Sequence, residues 1–103
     1  MSATGRLTLT VVTPERSVVE RVPCDSVSLP GELGELGILP GHTPLVALLG
    51  VGRVAWTDGG RKTAVAVRGG FVEVAGDVVR VLADVAAEKD AIDPAAAREA
   101  RAE

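Results

Sequence analysis

Short apolar segments with a two-residue period, cut every few residues by glycine or proline, constrain this chain more than any other feature. Leu7-Thr8-Leu9-Thr10-Val11 alternates apolar with polar, and so does Asp25-Ser26-Val27-Ser28-Leu29. Such alternation turns one face of a strand toward a core and the other toward water. Ser17 to Val22 reads as a further short strand stopped by Pro23, and the Asp25–Leu29 segment stops at Pro30-Gly31. Thr13-Pro14-Glu15-Arg16 reads as a turn, because proline presets the dihedral of a turn's second position. Leu45 to Leu49 is a short apolar run and reads as a buried strand. Gly52 to Thr57 leads into Asp58-Gly59-Gly60, a hairpin signal, and Arg61 to Val67 answers as the return strand. Gly69-Gly70 interrupts, Phe71 to Ala75 resumes, Gly76-Asp77 turns, and Val78 to Ala83 closes the series. The series predicts a mainly β fold, an antiparallel sandwich or barrel. No strand alternates with a helix, which argues against a parallel α/β sheet.

The length of 103 residues suits one domain with a modest core. Aromatic residues make up 2% of the chain, so valine, leucine, alanine and isoleucine must build that core, with Trp56 and Phe71 expected inside it. A net charge of −3 gives no electrostatic drive toward nucleic acid. Cys24 is alone, excludes an internal disulfide, and is expected to be a small buried hydrophobe. No apolar run approaches the roughly 20 residues of a membrane helix. Met1 to Arg6 lacks the hydrophobic region of a signal peptide. The expectation is a soluble, cytosol-facing protein that reaches a membrane only through a partner.

Composition changes after Asp84. Val85 to Ala91 is rich in alanine, and Asp93-Pro94 is a helix start, with aspartate capping and proline at the first helical position. Residues 1–84 therefore read as the β domain and 85–103 as a short helical C-terminal stub of about 15 Å.

Gly34 to Pro44 packs three glycines, two prolines, Glu35 and the only histidine, His42, into eleven positions. That density predicts a rigid irregular loop displaying Glu35, Leu36, Ile38, Leu39 and His42. Catalytic readings fail here. No serine and acid are patterned to converge on His42, and one histidine with one cysteine cannot close a zinc site. Gly31 to Gly37 matches neither the dinucleotide fingerprint nor the phosphate loop, and its two glutamates would repel phosphate. Glu32 and Glu35 read as solvated loop charges, with a partner contact open for Glu35. His42 reads equally as a residue bonding loop backbone and as a partner contact. Gly69-Gly70 reads as a bulge or a close backbone approach. The residues thus describe a β domain with no catalytic group, no metal and no cofactor, and a binding role with an unidentified partner.

The string Gly34-Glu35-Leu36-Gly37-Ile38-Leu39-Pro40-Gly41-His42-Thr43-Pro44-Leu45 closely resembles the signature of the epsilon subunit of F-type ATP synthases. Leu9 to Glu15, Gly69 to Val74 and Val79 to Asp84 resemble further stretches of that family in order and spacing. The resemblance implies a two-sheet antiparallel β-sandwich of about ten strands, followed by a pair of helices. It implies a non-catalytic rotor subunit that binds gamma and the polar loops of the c-ring, reaches the catalytic alpha/beta assembly indirectly, and couples proton-driven rotation to ATP synthesis. Glu35 and His42 would face ring and gamma, with Leu36, Ile38 and Leu39 supporting the contact. A place on the cytoplasmic face of the bacterial inner membrane follows, since no transit peptide is evident. The family's nucleotide motif has the form Ile/Leu-Asp-x-x-Arg-Ala. Here Ile92-Asp93-Pro94-Ala95 is followed by Ala96 at the arginine position, and the chain stops at Glu103. Loss of the C-terminal inhibitory role is therefore expected. The alternative is a nucleotide-sensing or ligand-binding sandwich module.

Overall fold

The computed structural model describes residues 5–87 and 90–92. They form nine strands: β1 (Leu7–Val12), β2 (Ser17–Cys24), β3 (Ser26–Gly31), β4 (Gly34–Ile38), β5 (Leu45–Leu48), β6 (Val51–Asp58), β7 (Arg61–Ala75), β8 (Val78–Ala86) and β9 (Asp90–Ile92). The hydrogen-bonded order is β2-β1-β8-β7-β6-β3-β4, with β5 and β9 also paired to β7.

β7 organises the rest. Its first half pairs with β6 and β9, and its second half with β5 and β8. One layer is therefore β2, β1, β8, β7 and β5, and the other is β9, β7, β6, β3 and β4. Counting β7 once in each layer gives the two five-stranded layers of the expected sandwich. β5 and β6 continue one another along β7 in a single register, interrupted at Leu49-Gly50. Leu49 N–H donates to the Gly70 carbonyl at 2.9 Å, and Gly69 N–H donates to Gly50 at 3.0 Å, so the ladder persists through the bend.

Between the layers lies one apolar cluster. Leu7, Leu9, Val11, Val72, Val79 and Val81 enter it from one layer, and Val27, Leu29, Ile38, Val54, Trp56 and Val65 from the other. Among the described residues no polar or charged residue is buried. The valines suit this environment because a branched β-carbon packs well on a pleated surface.

Several details depart from the sequence reading. β1 and β8 pair in parallel, so the sheet is mixed. β2 runs through Pro23, which an edge strand tolerates because one side needs no donor. β3 runs through Pro30, beyond the stretch Ser26–Ser28 that pairs with β6. Gly69-Gly70 bends β7 without ending it. The hairpin after β6 turns on Gly59-Gly60, with φ of 60° and 86°, as a tight two-residue turn demands. The sheet also passes the proposed division at residue 84: β8 ends at Ala86, and Asp90–Ile92 pairs with β7. The helix expected from Pro94, including Ala96, lies outside the described residues.

The bend yields a stability test. At Gly70, φ is 108°, and an added β-carbon would stand 2.1 Å from the Leu82 carbonyl oxygen. Gly37 meets nothing within 4 Å and its φ is unstrained. Gly70→Ala should destabilise the fold by about 3 kcal/mol or more, while Gly37→Ala should be neutral or stabilising by up to about 1 kcal/mol. Urea unfolding of the two variants measures the contrast, and equal midpoints would refute it.

Candidate functional site

Three of the five residues singled out in the sequence sit on a strand. Gly34–Ile38 is β4, paired with β3 through Leu36 opposite Leu29 and Ile38 opposite Val27. The expected irregular loop is therefore confined to Leu39–Pro44. β4 lies at the edge of its layer, where glycine is tolerated, and inward-facing Leu36 and Ile38 fix its register. Ile38 is 1% exposed and belongs to the core, so it supports β4 from beneath and offers no contact surface. Leu36 is half-buried, and Glu35 is exposed on the outer face. The Glu35 carboxylate accepts a hydrogen bond from Ser28 Oγ on β3.

Leu39 opens the loop and is 62% exposed. His42 is half-buried. Its backbone N–H donates to the Leu39 carbonyl at 3.1 Å, and its ring Nδ1 lies 2.7 Å from the Thr43 carbonyl oxygen. A carbonyl only accepts, so Nδ1–H is the donor of this bond. Gly41 N–H donates to Asp77 Oδ1 at 2.7 Å. Asp77 lies in the β7–β8 turn of the opposite layer, so this bond ties the middle of the crossing loop to that layer.

The sequence reading missed an apolar surface beside this edge. Leu48, Phe71, Leu82 and Val12 stand opposite one another in succession across β5, β7, β8 and β1. Leu48 is 59% exposed and Phe71 37%, which corrects both the buried β5 and the core Phe71. The cause is a change of parity. Val65 and Val67 face the core before the glycine pair, whereas Val72 and Val74 do so after it. Gly69-Gly70 thus turns Phe71 outward. Leu33 and Val46 add exposed apolar area, and a groove runs between Gly31–Leu36 and Val46–Leu48. The legible signal was the valine spacing on either side of Gly69-Gly70. Trp56, by contrast, is in the core as expected.

Among the described residues no three of His, Cys, Asp and Glu are placed to hold a metal ion. Nor is any helix there long and apolar enough to cross a membrane. Cys24 is fully buried, as expected of a small hydrophobe. Burial pushes its thiol up to about 11, against a smaller opposing pull from Arg6. Arg6 itself is engaged by Asp58 at 2.6 Å and Asp25 at 3.5 Å.

Residues 6–89 match the family described as ATP synthase, Delta/Epsilon chain, beta-sandwich domain. The chain belongs to this family. It is 51% identical over 87 residues to the ATP synthase epsilon chain of Solibacter usitatus, covering 84% of this chain and 64% of that one. It is 43% identical over 95 residues to the epsilon chain of Symbiobacterium thermophilum, covering 92% and 68%. A chain in the Euglena gracilis mitochondrial ATP synthase structure, which holds OSCP, F1 and c-ring, superposes with a TM-score of 0.78 at 26% identity. That likeness covers 99% of this chain and 68% of the other. A chain of the Tetrahymena thermophila mitochondrial ATP synthase shares the fold, with a TM-score of 0.66 at 13% identity. The chain thus spans roughly two thirds of the length of these epsilon-chain relatives. The epsilon-type sandwich accounts for both the layer architecture and the Gly34–Leu45 string.

Cys24 gives this sandwich a distinctive alkaline response. The folded thiol holds its proton up to about 11, against 9.0 for an ordinary thiol. The unfolded chain therefore releases that proton first. The Cys24 contribution to stability is fully present below about pH 9 and is lost as pH rises toward about 11, a loss on the order of 2–3 kcal/mol. The chain has no tyrosine to obscure the transition. Cys24→Ala should be flatter over this range in urea unfolding, and an equal slope in both proteins would assign the loss to other groups.

Proposed function

We propose that this chain is a non-catalytic subunit of an F-type ATP synthase rotor, joining the gamma shaft to the c-ring. ATP is made on the alpha/beta assembly, which this chain meets only indirectly. Its place is peripheral, on the cytoplasmic face of the bacterial inner membrane, held there through the complex. The observation that carries this reading is the adjacency of two unlike surfaces on one epsilon-type sandwich. One is the apolar row Leu48–Phe71–Leu82–Val12, exposed at Leu48 and Phe71 and half-buried at Leu82 and Val12. The other is the fastened polar edge with Glu35, Leu39 and His42.

The two surfaces suit different partners. A permanent joint favours apolar area, which supplies most of the affinity. The apolar row is therefore assigned to gamma. The c-ring presents polar loops, and a charged, hydrogen-bonded edge gives such a contact orientation and specificity. Glu35 is therefore assigned to the ring, with Leu39 as its apolar neighbour and Leu36 and Ile38 as the support beneath. His42, whose backbone and ring both bond within the crossing loop, is assigned to the contact beside Glu35. Rigidity matters here, because a joint under torque works best when little ordering remains to be done on binding.

Calorimetric titration with purified gamma tests the first assignment. The wild-type chain should bind at micromolar concentration or tighter. Leu48→Asp should weaken binding about tenfold or more with little loss of folded stability, since the side chain is already 59% exposed. Unchanged gamma affinity in Leu48→Asp combined with Phe71→Asp would overturn the assignment.

A further inference from the structure

We infer that Ser28 is the positioning residue for the Glu35 carboxylate, and that the pair sets specificity for a hydrogen-bond donor on the c-ring loop. The inference rests on the reading that Glu35 meets the ring.

The geometry on β3 and β4 makes this pair. Ser28 stands opposite Gly37, and Glu35 stands one pleat away on the same outer face, opposite Pro30. Diagonal neighbours on one face lie within reach of a long side chain. Ser28 Oγ donates to Glu35 Oε2 at 2.5 Å. On its other side Ser28 stands opposite Ala55 of β6. The two residues flanking Ser28 are thus glycine and alanine, and neither carries a polar group that could draw its hydroxyl away. The neighbouring hydroxyl, Ser26 Oγ, is engaged with Thr57 Oγ1 at 2.8 Å. Open space lies above Gly37, where a β-carbon would meet nothing within 4 Å. Glu35 can therefore lie across the strand pair toward Ser28 without obstruction.

The consequence is a carboxylate with one oxygen committed and one free. Without Ser28 the exposed glutamate would sample several rotamers and lose that freedom on binding. With it, Oε2 is held, and the exposed carboxylate keeps Oε1 for a partner. A donor such as an arginine, lysine or side-chain amide on a polar loop fits that oxygen. Lys62 borders a shallow hollow beside Ser28, lined also by Ser26, Gly37, Leu39, Ala55 and Thr57, and disfavours a cationic donor on that side. Selection is then by position as well as by charge.

The test uses the full chain and a detergent-solubilised gamma–c-ring complex, with affinities read by biolayer interferometry. Ser28→Ala should weaken binding about three- to tenfold, and Ser28→Thr, which keeps the hydroxyl, should restore it to within about twofold. Glu35→Ala should weaken binding at least as much as Ser28→Ala. The double variant Ser28→Ala with Glu35→Ala should be no weaker than Glu35→Ala alone. Melting temperatures of all four should agree to within about 3 °C, which separates positioning from damage to the sheet. If Ser28→Ala matches wild type while Glu35→Ala does not, or if the two losses multiply, the inference is overturned and the Glu35 reading stands. If Glu35→Ala binds as wild type does, the Glu35 reading itself falls and takes the inference with it.

Discussion

The close approach of β7 to β8 at Gly70 underlies the rest of the structure. A side chain there would collide with the Leu82 carbonyl and the Ala83 α-carbon, and the positive φ would strain any L-residue. Because both obstacles vanish for glycine, one strand can leave one layer and enter the other without losing its ladder. That continuity joins the layers, and the same two glycines invert the parity of β7. Core formation and the exposure of Phe71 are therefore one event. A side chain at either glycine would disturb the core and the apolar surface together.

The treatment of the sheet edges points the same way. Exposed edges invite pairing with other chains, and proteins blunt them with charge, proline or irregularity. β2 carries Glu20, Arg21 with φ of 49°, and Pro23. β4 carries Glu35, bonded to Ser28. β5 reads Leu-Val-Ala-Leu, with Val46 and Leu48 exposed and no charge. Only part of its open side is closed, where Glu32 N–H donates to the Leu48 carbonyl at 2.9 Å. An unblunted apolar edge continuous with an apolar row is costly to leave in water and natural to cover with a permanent partner.

Local signals in the sequence told most of this fold. The alternation of Leu7–Val11 and Ser26–Leu29, the Gly59-Gly60 hairpin and the Gly76-Asp77 turn depend on neighbours in the chain, and they were legible. What was not legible depends on distant partners. The parallel pairing of β1 with β8 brings together residues about seventy positions apart, and no local pattern encodes it. Pro23 and Pro30 read as stops, yet Pro23 lies on an edge strand and Pro30 lies beyond the residues of β3 that pair with β6, which only the sheet order reveals. Gly34–Ile38 read as a loop for its glycines, although Leu36 and Ile38 already had strand spacing. At the candidate site the burial of individual side chains was not legible. Ile38 turned inward, while Leu48 and Phe71, assigned to the core, turned outward.

On the proposed reading, load enters at β4 and leaves at the Phe71 row, so the path between them matters. It runs from β4 to β3, then β6, then β7, each step a backbone ladder. The shortest ladder joins β3 to β6, through Ser26–Ser28 only. It is also reinforced from outside the ladder. Asp25 N–H donates to the Thr57 carbonyl at 2.7 Å, Ser26 and Thr57 share a hydroxyl bond, and Trp56 anchors β6 in the core opposite Val27. Asp25 further accepts from Gly59 N–H at 2.9 Å and pairs with Arg6, tying the β6–β7 turn to the start of β1. The exposed ion pair adds little on its own. Its worth lies in closing the network where the ladder is thinnest. Ser28 stands at the end of that same ladder, so the residue proposed to hold Glu35 is also where the strain from Glu35 would pass into the core.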